Sequence, residues 1–340
     1  MFRNDYSEIC APEVLEKLKS CLGEQNIGYG LDVHSASAAE KILSAFGLSD
    51  SGAEVFFLAG GTQANAVTLS FLMRPYEAVI CCGTGHINVH ETGAVEGSGH
   101  KVLTSPGKDG KLLPEEIERI YRLHADEHMV KPKMVYISDS TETGTVYKKA
   151  ELEAIKKTCE KLGLLLFIDG ARLGVALTSP ENDMTPADFA ANCDIFYVGG
   201  TKNGAMYGEA IVVKDPSLSK EFRYHIKNRG AMLAKGFAVG IQFEALFTDG
   251  LYFKLAENSN ATASFIREGL EKLGVETVGG AKTNQIFISV PAPLGLKLEK
   301  EFGLELWTDN GDTRVERIVT SFASKIGDCD TLINYIGNNL

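Results

Sequence analysis

Seven runs of apolar residues recur through the first two thirds of the chain: Glu54–Ala59, Ala78–Cys82, Lys101–Thr104, Lys133–Ser138, Leu164–Asp169, Asp194–Gly199 and Glu209–Val213. Several are continuous rather than alternating, the pattern of strands covered on both faces. Helical patterns lie between them. PEEIERIYRLH opens on proline, and KAELEAIKKTCEKLG closes on glycine, which are the residues that suit a helix's first and last positions. Strand–helix alternation predicts an α/β domain around a mostly parallel, seven-stranded sheet. Beyond about Asp215 the texture changes. A long helical stretch, Gly250–Leu273, leads to GVETVGG, NQIFISV, another helix, LELWTD and RVERIVTS. We therefore expect a large domain over residues 1–249, including the N-terminal segment, and a small α+β domain over residues 250–340. A chain of 340 residues suits two such domains.

Charge narrows the function classes. The 34 basic and 45 acidic residues give a net charge of -11, which argues against nonspecific binding to nucleic acid or anionic membranes. No apolar run approaches membrane-spanning length, and MFRNDYSEIC lacks the basic-then-apolar pattern of a signal peptide. Seven cysteines without a CxxC pair read as reduced thiols of a cytoplasmic protein, with neither a disulfide framework nor a metal site.

Ligands of open α/β sheets sit at the carboxyl ends of the strands, so what each strand ends in carries the chemistry. The first ends in GGTQAN. Its glycines admit close backbone approach, and the free N–H groups of a helix start bind phosphate; without GK[ST] it is not a nucleotide P-loop. The second ends in GTGHINVHE, placing His86 just past the strand and His90 and Glu91 a turn on. The fifth ends in DGAR. An aspartate after LLLFI is expected to be buried and in need of a donor or cation, and Arg172 lies near enough to supply it. The sixth ends in GTKNGA, placing Lys202 at the same edge; a desolvated lysine has a lowered pKa and forms Schiff bases. Each feature alone has an ordinary structural explanation: a turn, a core histidine, a local ion pair, a solvated lysine. Together, in this order, they suit pyridoxal phosphate (PLP): the helix start anchors the phosphate, the ring stacks on the pyridine, the aspartate keeps its nitrogen protonated and the lysine holds the aldehyde.

The order GGTQAN, GHINVHETGA, FIDGARLG, GGTKNGA resembles the threonine aldolases, in the β-eliminating lyase group of PLP enzymes. FRNDY is similar to that family's N-terminal R-S-D-T segment, IGYG to its tyrosine-glycine motif, and ERIVTSF to its arginine-bearing strand. The resemblance covers nearly the whole chain. It implies the aspartate aminotransferase-like fold (fold type I) and assigns roles. Lys202 would be the Schiff-base lysine, Asp169 the partner of the pyridine nitrogen, and His86 the stacking ring. Gly61 and Thr62 would hold the phosphate, and Thr201 stands where a serine is common, keeping the hydroxyl. Arg172 and Arg317 would sit near the substrate carboxylate, with Arg314 a nearby competitor for the second role. Asn4 stands where a carboxylate-contacting serine is usual. Tyr29 and Gly30 lie in a segment that approaches the neighbouring subunit's site in the family's dimers and tetramers. One departure stands out. Many threonine aldolases carry a second histidine after the strand that here reads KMVYIS, near the substrate hydroxyl. Here the segment is DSTETG, with Thr141 expected at that place.

The resemblance implies retro-aldol cleavage of L-threonine or L-allo-threonine to glycine and acetaldehyde by a homo-oligomer, dimer or tetramer. His86, Glu91 through a water, or a water alone are open as the group that takes the hydroxyl proton. Cleavage of bulkier β-hydroxy amino acids, or β-elimination, transamination or racemisation on the same cofactor, is the nearest alternative. A non-catalytic PLP-fold protein fits poorly with lysine, aspartate and arginine all present. A nucleotide-binding oxidoreductase fits worse, because no GxGxxG follows an early strand with an acidic residue at the right distance.

Overall fold

A computed structural model describes residues 1–340. The large sheet contains β1 (Glu54–Leu58), β2 (Glu77–Cys82), β3 (Lys101–Ser105), β4 (Lys131–Ser138), β5 (Leu165–Asp169), β6 (Ile195–Gly199) and β7 (Glu209–Val213). Their order is β1-β7-β6-β5-β4-β2-β3. The pairs from β6 to β3 are parallel. β7 runs antiparallel to both β6 and β1, and two reversals return β1 to the direction of β6. The carboxyl ends of β1, β2, β4, β5 and β6 therefore meet at one edge of the sheet, where β7 begins.

The unbroken apolar runs follow from burial on both faces. Val79, Cys81, Met134, Tyr136, Phe167, Ile195 and Tyr197 pack into one core with Ala64, Val67 and Leu69 of the helix Gly61–Leu72. Their alternating neighbours Ile80, Val135, Ile137, Leu166, Ile168, Phe196 and Val198 pack into another with Leu152 and Ile155 of the helix Lys149–Leu162. That helix stops at Gly163, whose φ of 68° lies in the left-handed region that ends helices.

A second sheet holds β8 (Gln285–Pro291), β9 (Glu305–Asp309) and β10 (Thr313–Val319), ordered β8-β10-β9 and antiparallel. Ile286, Ile288, Val290 and Ile318 form a third core with Ala263, Ile266 and Leu270. The helix Leu251–Lys272 bridges the cores: Tyr252, near its start, belongs to the core around Leu166, and its later residues belong to the third. The chain's first residues also join the third core. Phe2 is buried there, donating its N–H to Phe302 O and accepting from Val319 N–H, both at 2.9 Å. No helix is long and apolar enough to cross a membrane.

Candidate active site

At the sheet edge lies a cavity of about 320 Å³ whose walls include Gly61, Thr62, His86, Asp169, Arg172, Thr201 and Lys202. Residues far apart in the chain are brought together because their strands end side by side. The turns that do this depend on glycine. A Cβ at Gly170 would lie 1.9 Å from Tyr197 O, and one at Gly199 would lie 2.4 Å from Ala171 O. DGAR and GGTK are thus two turns in backbone contact, and that contact holds Asp169 and Lys202 on one wall.

Asp169, the last residue of β5, is 3% exposed. Tyr136 donates to its Oδ2 at 2.5 Å and Asn65 at 2.9 Å; Tyr197 donates to Oδ1, as does the N–H of Ala171 at 3.0 Å. Burial alone would raise its pKa. The opposing influence of His86 and of the three side-chain donors is larger, and the carboxyl is held below its ordinary value. Arg172 is not its partner, contrary to the expectation from spacing. The guanidinium turns to Asp5, donating from Nε at 2.7 Å and Nη2 at 3.1 Å. Asp5, 0% exposed, also accepts from Asn284 at 2.8 Å. A bidentate pair satisfies a largely enclosed guanidinium better than a single contact three residues away.

His86 opens a short helix past β2. Its Nδ1 lies 2.8 Å from Glu91 Oε1, which also accepts from Asn65 at 2.7 Å. Asn65 therefore links the histidine's partner to Asp169. The helix Gly61–Leu72 has no side chain capping its first amides, so those donors are left for a ligand. A Cβ at Gly61 would lie 3.1 Å from Tyr197 Oη, close against the hydroxyl that serves Asp169.

Lys202 is half-buried on the cavity wall, with Nζ 5.9 Å from the Tyr6 ring centroid. Burial first, and then the Arg172 charge, push its pKa down. Glu209, at the start of β7, accepts from Thr201 at 2.9 Å and from the Gly200 N–H at 3.1 Å; burial raises its pKa.

The other expected contacts lie elsewhere in the single chain. Thr141 is 1% exposed and bonded within a threonine cluster to Thr145 (2.7 Å) and Thr143 (3.1 Å), off the cavity wall. Its neighbour Glu142 lines the cavity instead. Asn4 closes a local turn, accepting from the Tyr6 N–H and the Ser7 hydroxyl, and Tyr6 is the wall residue. Tyr29 and Gly30 line a separate cavity with Arg223 and Met232. Arg317, on β10, donates to Glu305 and lies over the Trp307 ring. Arg314, pointing to the other face of that strand, is engaged by Glu299 and Glu316.

The family Beta-eliminating lyase matches residues 16–293. The chain belongs to that family. The low specificity L-threonine aldolase of Pseudomonas sp. (strain NCIMB 10558) is 35% identical over 295 residues, 85% of this chain and 84% of the relative. The same-named protein of Pseudomonas aeruginosa is 32% identical, with the same coverage of each chain. The solved structure of Leishmania major threonine aldolase is 42% identical, covers 99% of this chain and 98% of that one, and superposes with a TM-score of 0.96. Thermus thermophilus aspartate aminotransferase, at 16% identity and a TM-score of 0.72 over 98% of this chain, shares the fold.

PLP fits the residues present. An ionised, buried carboxylate is placed to receive a pyridinium N–H, a half-buried lysine biased toward the neutral amine can hold an aldehyde, and uncapped helix amides can hold a phosphate.

Proposed function

We propose that the protein is a PLP-dependent lyase that cleaves L-threonine or L-allo-threonine to glycine and acetaldehyde. The observation that carries this reading is the half-buried Lys202 amine sharing one cavity with the ionised Asp169. Bound PLP supplies an electron sink for the pair released when the substrate's Cα–Cβ bond breaks.

The chain's residues hold and orient. Lys202 provides the amine that attaches the cofactor covalently. Asp169, kept ionised by Tyr136, Tyr197 and Asn65, holds a proton on the pyridine nitrogen. His86, fixed through Nδ1 by Glu91, presents its ring for stacking. Gly61 and Thr62 receive the phosphate. Arg172, locked by Asp5, offers a fixed cation to the substrate carboxylate, with Arg317 as the second. Fixing the carboxylate sets which Cα bond stands in line with the sink, which selects cleavage over other reactions of the same cofactor.

The reading extends to a cytoplasmic homo-oligomer, a dimer or tetramer with sites at subunit interfaces. It is supported by half-exposed Tyr29 beside exposed Leu31, Val33 and Tyr224, a patch apolar enough to seek a partner.

The test is incubation of the PLP-loaded protein with each of the four threonine stereoisomers while trapping acetaldehyde. Release from an L-isomer is expected. A yellow protein that releases none moves the activity to bulkier β-hydroxy amino acids or to elimination. Lys202→Ala should remove the borohydride-fixed cofactor adduct, and persistence of that adduct would sink the assignment of Lys202.

A further inference from the structure

The cavity wall holds a carboxylate that none of these roles uses. Glu142 lies four residues past the end of β4. Its Oε1 accepts from the Ser138 hydroxyl at 2.6 Å and from the backbone N–H of His86 at 2.9 Å. It is thereby tied to the residue that presents the stacking ring, and it faces the same cavity as Lys202 and Arg172. Its charge acts on the Arg172 guanidinium.

The remaining carboxylates near the cavity are committed. Asp169 is saturated by three side-chain donors. Glu209 is held by Thr201 and Gly200. Glu91, its side chain 0% exposed, is sealed behind His86. Thr141 is enclosed among threonines.

We propose that Glu142 takes the proton from the substrate's β-hydroxyl during cleavage and returns it in the reverse direction. This rests on the function proposed above. The hydroxyl O–H bond breaks and its proton passes to a Glu142 carboxylate oxygen. The C–O bond becomes the aldehyde carbonyl as the Cα–Cβ bond breaks, leaving that bond's electron pair on the Cα side. One proton is later taken up at Cα, and Glu142 gives up the one it received, so hydrogen count and charge balance. Burial, reinforced by the nearby Asp169 charge, raises the Glu142 pKa, which favours a carboxylate that accepts a proton near neutral pH.

Glu142→Gln is the test, because an amide oxygen still accepts from Ser138 and His86 but cannot take a proton. The PLP-loaded variant should lose about 10²- to 10⁴-fold in the rate of cleavage. It should still exchange the α-hydrogen of glycine with heavy water, a step that involves no hydroxyl. A second readout uses the cofactor-free protein: pH-difference infrared spectra should show a titrating carboxyl that disappears in Glu142→Gln. Cleavage at the wild-type rate, or a carboxyl signal unchanged by the substitution, would overturn the proposal. Parallel loss of glycine exchange would also overturn it, by assigning Glu142 to cofactor binding. A wild-type protein inert toward all four threonines would instead defeat the function on which the proposal rests.

Discussion

The cavity at the sheet edge and the cluster around His34 both gather charged side chains from distant segments, and they settle those charges in opposite ways. His34, on the helix Val33–Ala45, places Nε2 2.6 Å from Glu24 and Nδ1 2.8 Å from Glu244, and Lys17 reaches Glu244 at 2.9 Å. Both ring nitrogens face carboxylates, which favours the imidazolium, the form in which two cations meet two anions. Burial lowers the His34 pKa, but the two carboxylates outweigh it and the net direction is up. Cys21, Glu24 and His34 bring ligand atoms within 4.8 Å of one another, a grouping that spacing alone did not reveal. Yet the charges there are already neutralised from within the chain. At the cavity, Arg172 on the wall is closed in this way by Asp5 behind it. Lys202 is driven toward the neutral amine, Glu142 and Glu209 are raised, and the amides at Gly61 are uncapped. A cluster that balances itself is architecture; one that leaves its groups perturbed and facing a void is prepared for a ligand.

The largest break in this contrast should come from the closed pair at the cavity wall. Asp5→Ala leaves a largely enclosed guanidinium without its carboxylate and should cost about 3–5 kcal/mol, read from urea unfolding of the cofactor-free protein. Asp5→Ala with Arg172→Met should recover part of that loss. A cost under about 1 kcal/mol would mean that Arg172 finds another anion, with Glu142 in reach of its field.

The His34 cluster should yield a smaller, pH-dependent effect. Its folded pKa lies above the unfolded one, so the folded state binds the proton more tightly. The stabilisation is complete below the unfolded imidazole value and is lost as pH rises through the raised folded value. Thermal unfolding across that window should show the decline in the wild type, and His34→Gln should flatten it. A wild-type profile that rises with pH would reverse the assignment.

The smallest effect belongs to metal removal. A chelator should leave the melting temperature of the protein within about 2 °C, since a self-neutralised cluster offers little to a cation. A clear rise on adding zinc, abolished by Cys21→Ala, would move this cluster to the ligand-binding side of the contrast.

The strands, and what stands at their ends, were legible in the sequence because a strand buried on both faces needs an unbroken apolar run, and the turn after it needs glycine wherever two turns touch. That logic located Gly61, His86, Asp169 and Lys202 without any knowledge of strand order. It could not find Tyr136 and Tyr197, which look like ordinary strand residues until β4 and β6 are known to flank β5 and direct both hydroxyls at Asp169. Nor could it choose between neighbours. Thr141 and Glu142 are adjacent in the chain, and only the path of the backbone after β4 turns one into a threonine cluster and the other into the cavity. The partner of Arg172 was beyond reach for a related reason: Asp5 lies 167 residues away, and local spacing favoured Asp169. Composition and periodicity are local quantities, and they determined the elements and the chemistry at their ends. Which charge meets which, and which is left facing the void, depends on contacts between segments far apart in sequence, and only the folded chain decides them.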